Sequence, residues 1–125
     1  DCINCSNDLD WKFIATVKKS VEDNMDNPSF NVDVLCNLLN MSRTSFYNKI
    51  KALTDQAPAD YIRLIRLKHA AQLLKEQKHT ITEISELTGF SDAKYFREVF
   101  KKHFNMSPSQ YAKRGKEGKD DKEIK

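Results

Sequence analysis

Residues 80–111 read TITEISELTGFSDAKYFREVFKKHFNMSPSQY. Thr80 and Glu83 stand three residues apart, the spacing of a capping box, so a helix opens here with Ile84 and Leu87 on its buried side. Gly89 supplies a left-handed residue for a tight turn. Ser91 or Asp92 caps the next helix, which carries Phe96, Val99, Phe100 and Phe104 at helical spacing. Ser107-Pro108-Ser109-Gln110 is a second capping box with proline in the first helical position, opening a short helix that ends near Arg114. A short helix, a tight turn and a longer helix form a helix-turn-helix unit.

The pattern occurs twice. Leu35-x-x-Leu38 and Met41-Ser42 return 49 residues later as Ile84-x-x-Leu87 and Phe90-Ser91. Beyond the turn the offset is 50, pairing Phe46 with Phe96, Ile50 with Phe100, Pro58 with Pro108 and Tyr61 with Tyr111. In the first copy Asn31 caps a helix from Val32 to Leu39, with Phe30 placed to staple onto Leu35 and with Leu35, Leu38 and Leu39 facing inward. Ser42 caps the following helix, which buries Phe46, Ile50 and Leu53. Ahead of both copies, Phe13, Ile14, Val17, Val21 and Met25 share one face of a helix that starts near Asp8 and stops before Asn27-Pro28.

Between the copies, Pro58 opens an unbroken helix to about Lys75. Its apolar residues (Tyr61, Ile62, Leu64, Ile65, Leu67, Ala70, Ala71, Leu73 and Leu74) lie on more than one side, as in a helix packed between two units. Leu64 and Leu74 are accordingly expected to be buried. The expected fold is all-α, with about seven helices and two helix-turn-helix subdomains, about 31–54 and 80–104, joined by a linker helix of about 58–75. Residues 9–114 make this domain; residues 1–8 read as a linker remnant and 115–125 as a charged, disordered tail.

The chain has 125 residues, 39% hydrophobic and 31% charged, which bounds it to one soluble globular domain. Three Gly and three Pro are too few for a fold of many short strands. No apolar run approaches membrane length, and Asp1–Asp10 lacks the basic-then-apolar pattern of a secretory signal. Charge is uneven: residues 1–41 hold three basic and seven acidic residues, whereas 42–102 hold twelve basic and seven acidic. A basic middle suits a polyanion.

Cys2-x-x-Cys5 has metal-ligand spacing but no second pair, and His69, His79 and His103 are isolated from one another. Cys36 reads as a small core residue in a reducing, cytoplasmic compartment. No metal and no cofactor are expected. Neither a Ser/His/acid or Cys/His set nor a Gly-rich phosphate loop is present, so the chain is not expected to be an enzyme. A linking helix of about 18 residues is roughly 27 Å long. With the flanking units it would space the two longer helices by about 34 Å, one turn of B-DNA, for entry into successive major grooves.

The combined motif Ile81-x-x-Ile84-Ser85-x-x-x-Gly89-Phe90-Ser91-Asp92-x-x-Tyr95-Phe96-Arg97-x-x-Phe100-Lys101-Lys102-x-Phe104-x-x-Ser107-Pro108-x-x-Tyr111 resembles the signature of the AraC/XylS family of bacterial transcription regulators. Met41-Ser42-Arg43, Lys49 to Thr54 and Ile65 to Leu74 resemble the same family's first half. Ser85 stands where that family usually has Ala, and Asn105 where it usually has Gly. Asp10-x-x-Phe13 and the Lys49–Thr54 run are similar to the C-terminal output domain of Bacteroides-type hybrid two-component regulators. The resemblance implies binding to double-stranded promoter DNA, with RNA polymerase as a further partner. It also implies a monomeric fragment of a homodimeric protein that carries a histidine kinase and is tethered to the inner membrane.

In the family the exposed side of each unit's second helix reads bases. With Phe46 and Ile50 inward, Arg43, Thr44, Tyr47 and Asn48 become the base-reading candidates of the first unit. With Phe96 and Phe100 inward, Asp92, Lys94, Arg97 and Glu98 point outward, and the last three are the second unit's readers. Asn pairs with adenine, Arg with guanine, and Glu accepts from cytosine. Ser42, Lys51, Ser91, Lys101 and Lys102 are assigned to phosphates. Two other readings stand beside this one. The first is a helical protein-interaction module that binds no DNA. The second is the DNA-binding part of a methyl-accepting repair regulator, for which Cys2 and Cys5 are the hint.

Overall fold

The computed structural model describes residues 7–114; Cys2, Cys5 and the charged tail over 115–125 lie outside the described residues. Six helices are α1 (Asp8–Asp23), α2 (Val32–Leu39), α3 (Arg43–Thr54), α4 (Pro58–Glu76), α5 (Ile81–Leu87) and α6 (Ala93–Phe104). A seventh, α7, covers residues 108–114, and no strand occurs among the described residues.

Short side chains start these helices. Asn7, Asn31 and Ser42 accept backbone N–H bonds from Asp10, Val34 and Ser45 and open α1, α2 and α3. Thr80 and Glu83 form the reciprocal box at α5, at 3.1 and 2.8 Å. Ser107 and Gln110 form its counterpart at α7, at 3.2 and 3.0 Å. Of the two candidates at α6, Asp92 is the cap, accepting from the Tyr95 N–H at 2.6 Å. Left-handed residues follow α2 to α6, whereas Asn24 ends α1 at φ −118°. Asn40 and Gly89 end the short helices' turns at φ 55° and 79°, and Asp55 and Asn105 end α3 and α6 at φ 59° and 60°. Asn105 thus takes the left-handed geometry itself, which Asn tolerates better than most residues. Ser85 is buried, its hydroxyl donating to the Thr82 carbonyl at 2.8 Å.

Two compact units result: the first ends within α4 at Arg66, and the second begins at Leu67 and also takes in Asp26–Pro28. In the first, α1 to α3 and the start of α4 enclose Ile14, Val17, Val21, Leu35, Phe46, Ile50, Tyr61, Ile62 and Ile65. In the second, Leu67, Ala70, Ala71 and Leu74 of α4 pack with Ile84, Phe90, Phe96 and Phe100, and Tyr111 of α7 joins them. The two-sided apolar pattern of α4 therefore has a lengthwise explanation, one core served by each end.

Three expected core residues are placed differently. Leu38 is 58% exposed and Leu87 39%. The inward arcs of the short helices centre on Leu35, Cys36 and Leu39 and on Ile84, Ser85 and Thr88. At 100° per residue, Leu38 and Leu87 fall about a third of a turn away from those arcs. Leu64 is only half-buried, whereas Leu74 is 2% exposed.

Candidate nucleic-acid interface

Burying Phe46 and Ile50 fixes the roll of α3, and burying Phe96 and Phe100 fixes that of α6. What remains outside is a stripe at i, i+3, i+4 and i+7 on each. On α3 it comprises Thr44, Tyr47, Asn48 and Lys51; on α6 it comprises Lys94, Arg97, Glu98 and Lys101, and all eight are exposed. Lys102 is exposed beside the second stripe, and Ser91 is exposed just ahead of the Asp92 cap.

The first unit gathers its four expected readers. Arg43, Thr44, Tyr47 and Asn48 line one concavity of about 370 Å³, whose other walls are Val32 and the Ala57-Pro58-Ala59 segment that opens α4. Phenol, carboxamide, hydroxyl and guanidinium thus converge beside apolar surface that can meet a thymine methyl group. Arg43 is not loose there: its Nη1 donates to an Asp33 carboxylate oxygen on the first turn of α2. Lys49 turns away from the stripe and lies 4.8 Å over the Phe13 ring, tying α3 to α1.

The second unit is built differently at its entry. Asp92 places a carboxylate on the first N–H groups of α6, where the first unit has the neutral Ser42 hydroxyl, 3.1 Å from the Ser45 nitrogen. A phosphate approaching α3 meets amide dipoles and an –OH; one approaching α6 also meets a carboxylate. Tyr95, 40% exposed on α6 with its ring 6.1 Å from that of Phe90, adds an aromatic edge.

Asp33, Tyr95 and Arg66 were not singled out from the sequence. Arg66 is 5% exposed and donates to the carbonyls of Met25 at 2.6 Å and Phe30 at 3.2 Å. It fastens the α1–α2 connection to α4, and burial lowers its pKa from the usual guanidinium value. The available signal was its place on the apolar side of α4, four residues from both Ile62 and Ala70.

Comparison with known proteins places this geometry. A model described as a helix-turn-helix domain matches residues 35–114. Histidine kinase P4 of Formosa agariphila is 46% identical over 106 residues, covering 85% of this chain and 8% of that protein. The C-terminal domain of the two-component response regulator yesN from Fusobacterium nucleatum is 27% identical, with a TM-score of 0.73 over 81% of this chain and 98% of that one. The DNA-binding domain of AdpA, a global transcriptional factor solved with a target DNA, is 26% identical, with a TM-score of 0.72 over 78% of this chain and 87% of that one. The chain spans only 8% and 38% of the first two curated relatives it matches. The doubled unit, its two outward stripes and the family match over residues 35–114 agree: the chain belongs to the AraC-type helix-turn-helix domains, the DNA-binding part of transcription regulators.

Proposed function

We propose that the chain is the output domain of a two-component signalling protein and binds a two-part duplex site, each unit reading one part with its second helix. The observation that carries this reading is the pair of exposed i, i+3, i+4, i+7 stripes, rich in hydrogen-bonding groups, on α3 and α6. Arg43, Thr44, Tyr47, Asn48, Lys94, Arg97 and Glu98 touch bases, while Ser42, Lys51, Ser91, Lys101 and Lys102 hold phosphates. The kinase and response-regulator relatives support the signalling context. In that context the whole protein carries a histidine kinase, dimerises outside this domain, works at the cytoplasmic side of the inner membrane and meets RNA polymerase at the promoter. No helix among the described residues is long and apolar enough to cross a membrane, so a tether belongs to other segments.

The test is selection of a site from random duplexes, followed by point variants at one stated salt concentration. Arg97→Ala should weaken cognate binding by about 1–3 kcal/mol and relax preference at one base pair. Asn48→Ala should do the same at a different base pair, in the other part of the site. Lys101→Ala should weaken cognate and scrambled duplexes alike and lower the salt slope by about one. Equal loss on both duplexes for Arg97→Ala would make it a phosphate contact. A chain that prefers no duplex over scrambled sequence would overturn the reading.

A further inference from the structure

We infer that Asp33, which faces no base itself, is a positioning residue that sets the specificity of the first unit by holding the Arg43 guanidinium in a reading orientation. The inference rests on the proposal that the outward face of α3 reads DNA. Arg43 is the first residue of α3 and lines the concavity shared by Thr44, Tyr47 and Asn48. The N-terminal end of a recognition helix is the part that reaches base edges. Asp33 sits on the first turn of the neighbouring helix and engages Nη1 of Arg43.

Both partners are largely exposed, at 70% and 60%, so the pair contributes little to stability in water. Its effect on recognition is larger for three reasons. A free arginine loses rotamer freedom when it docks, and a side chain already held by a carboxylate loses less. A guanidinium has five N–H donors in one plane, and a carboxylate on one edge leaves another for the O6 and N7 acceptors of guanine. The pair is also neutral overall, so Arg43 adds little to the nonspecific attraction of phosphates, and its function is discrimination. The repeat supplies an internal control: the positions equivalent to Asp33 and Arg43 in the second unit are Thr82 and Ala93, which cannot form such a pair.

The experiment measures binding of the 125-residue chain to the selected duplex with each base pair permuted in turn, and to scrambled duplex. Arg43→Ala should erase preference at one base pair of the first unit's half-site. Asp33→Ala should reduce preference at that same base pair about tenfold, the scale of one bidentate contact. Scrambled-duplex affinity should hold or rise, since a negative charge has left, and the second unit's preferences should not move. The double variant should match Arg43→Ala, and Asp33→Asn, which keeps an acceptor in place, should retain most of the preference. A folding defect would lower all affinities together. If Arg43→Ala erases a preference that Asp33→Ala leaves intact, or if Asp33→Ala sharpens it, the positioning role is overturned while DNA reading stands. If Arg43→Ala changes no preference, Arg43 is no reader and the inference falls with it. If the unaltered chain prefers no duplex, the proposed function fails first.

Discussion

The two helix-turn-helix units share a frame and differ in chemistry. Superposed by the 50-residue offset, Lys51 meets Lys101, the same residue in the same outward place. Thr44 meets Lys94, Tyr47 meets Arg97 and Asn48 meets Glu98, with no identity at any of the three. On the proposed assignment, a phosphate contact carries no sequence information and one residue serves both units, whereas base edges differ and so do the residues proposed to read them. The cores diverge too. Ile50 and Phe100 occupy equivalent, fully buried positions. Phe100 stands in a chain of rings, with centroids 5.6 Å from Phe96, 4.4 Å from Phe104 and 5.4 Å from Tyr111. The first unit sets Phe30, Phe46 and Tyr61 among aliphatic side chains under α1; the second lines its rings into one chain and closes with the short α7.

If aromatic packing carries the second unit, truncation should cost more there. Phe100→Ala is expected to destabilise by about 4 kcal/mol and Ile50→Ala by about 3 kcal/mol, read by chemical denaturation of each variant. Equal costs, or a reversed order, would break that side of the contrast.

The next largest effect belongs to the first unit. Arg66→Ala leaves two buried carbonyls, those of Met25 and Phe30, without their guanidinium donor and should cost about 2–4 kcal/mol. Hydrogen exchange should then rise first around residues 24–30. A loss below about 0.5 kcal/mol would show that water replaces the guanidinium at no cost.

The smallest effect is a pH response at the cap of α5. The Thr80 backbone N–H holds the Glu83 carboxyl below its ordinary value of 4.5, burial works the other way, and the Thr80 hydroxyl and His79 lower it further. A lowered folded-state pKa means the bond stabilises α5 fully above the unfolded value and is lost as pH falls through the folded one. The capping side chains of α2, α3 and α7 (Asn31, Ser42 and Gln110) do not titrate. Acidification should therefore speed amide exchange in α5 while α2 and α7 keep their protection. Parallel loss in all three would assign the response to global unfolding.

Much of the frame was readable because its signals are local. A cap needs one side chain and an amide two or three residues away, so Asn31, Ser42 and the Thr80–Glu83 and Ser107–Gln110 boxes stand where the sequence places them. The register of α2 and α5 was harder, because both are short and two faces compete. Leucine outweighs Cys36 and Ser85 in apolar character, yet those small residues take the inward positions and Leu38 and Leu87 stay outside.

By itself the sequence determined seven helices, their starts and stops, the repeat and the outward stripes of α3 and α6, since each follows from spacing within a few residues or from one copy matched against the other. Tertiary structure alone decided what depends on separate segments meeting. It placed Arg66 on carbonyls 41 and 36 residues away and Asp33 on Arg43 ten residues away, and it divided α4 between two cores at Arg66 and Leu67. Those partners are chosen by which surfaces come together once the apolar faces are buried, and no periodicity along the chain encodes that choice.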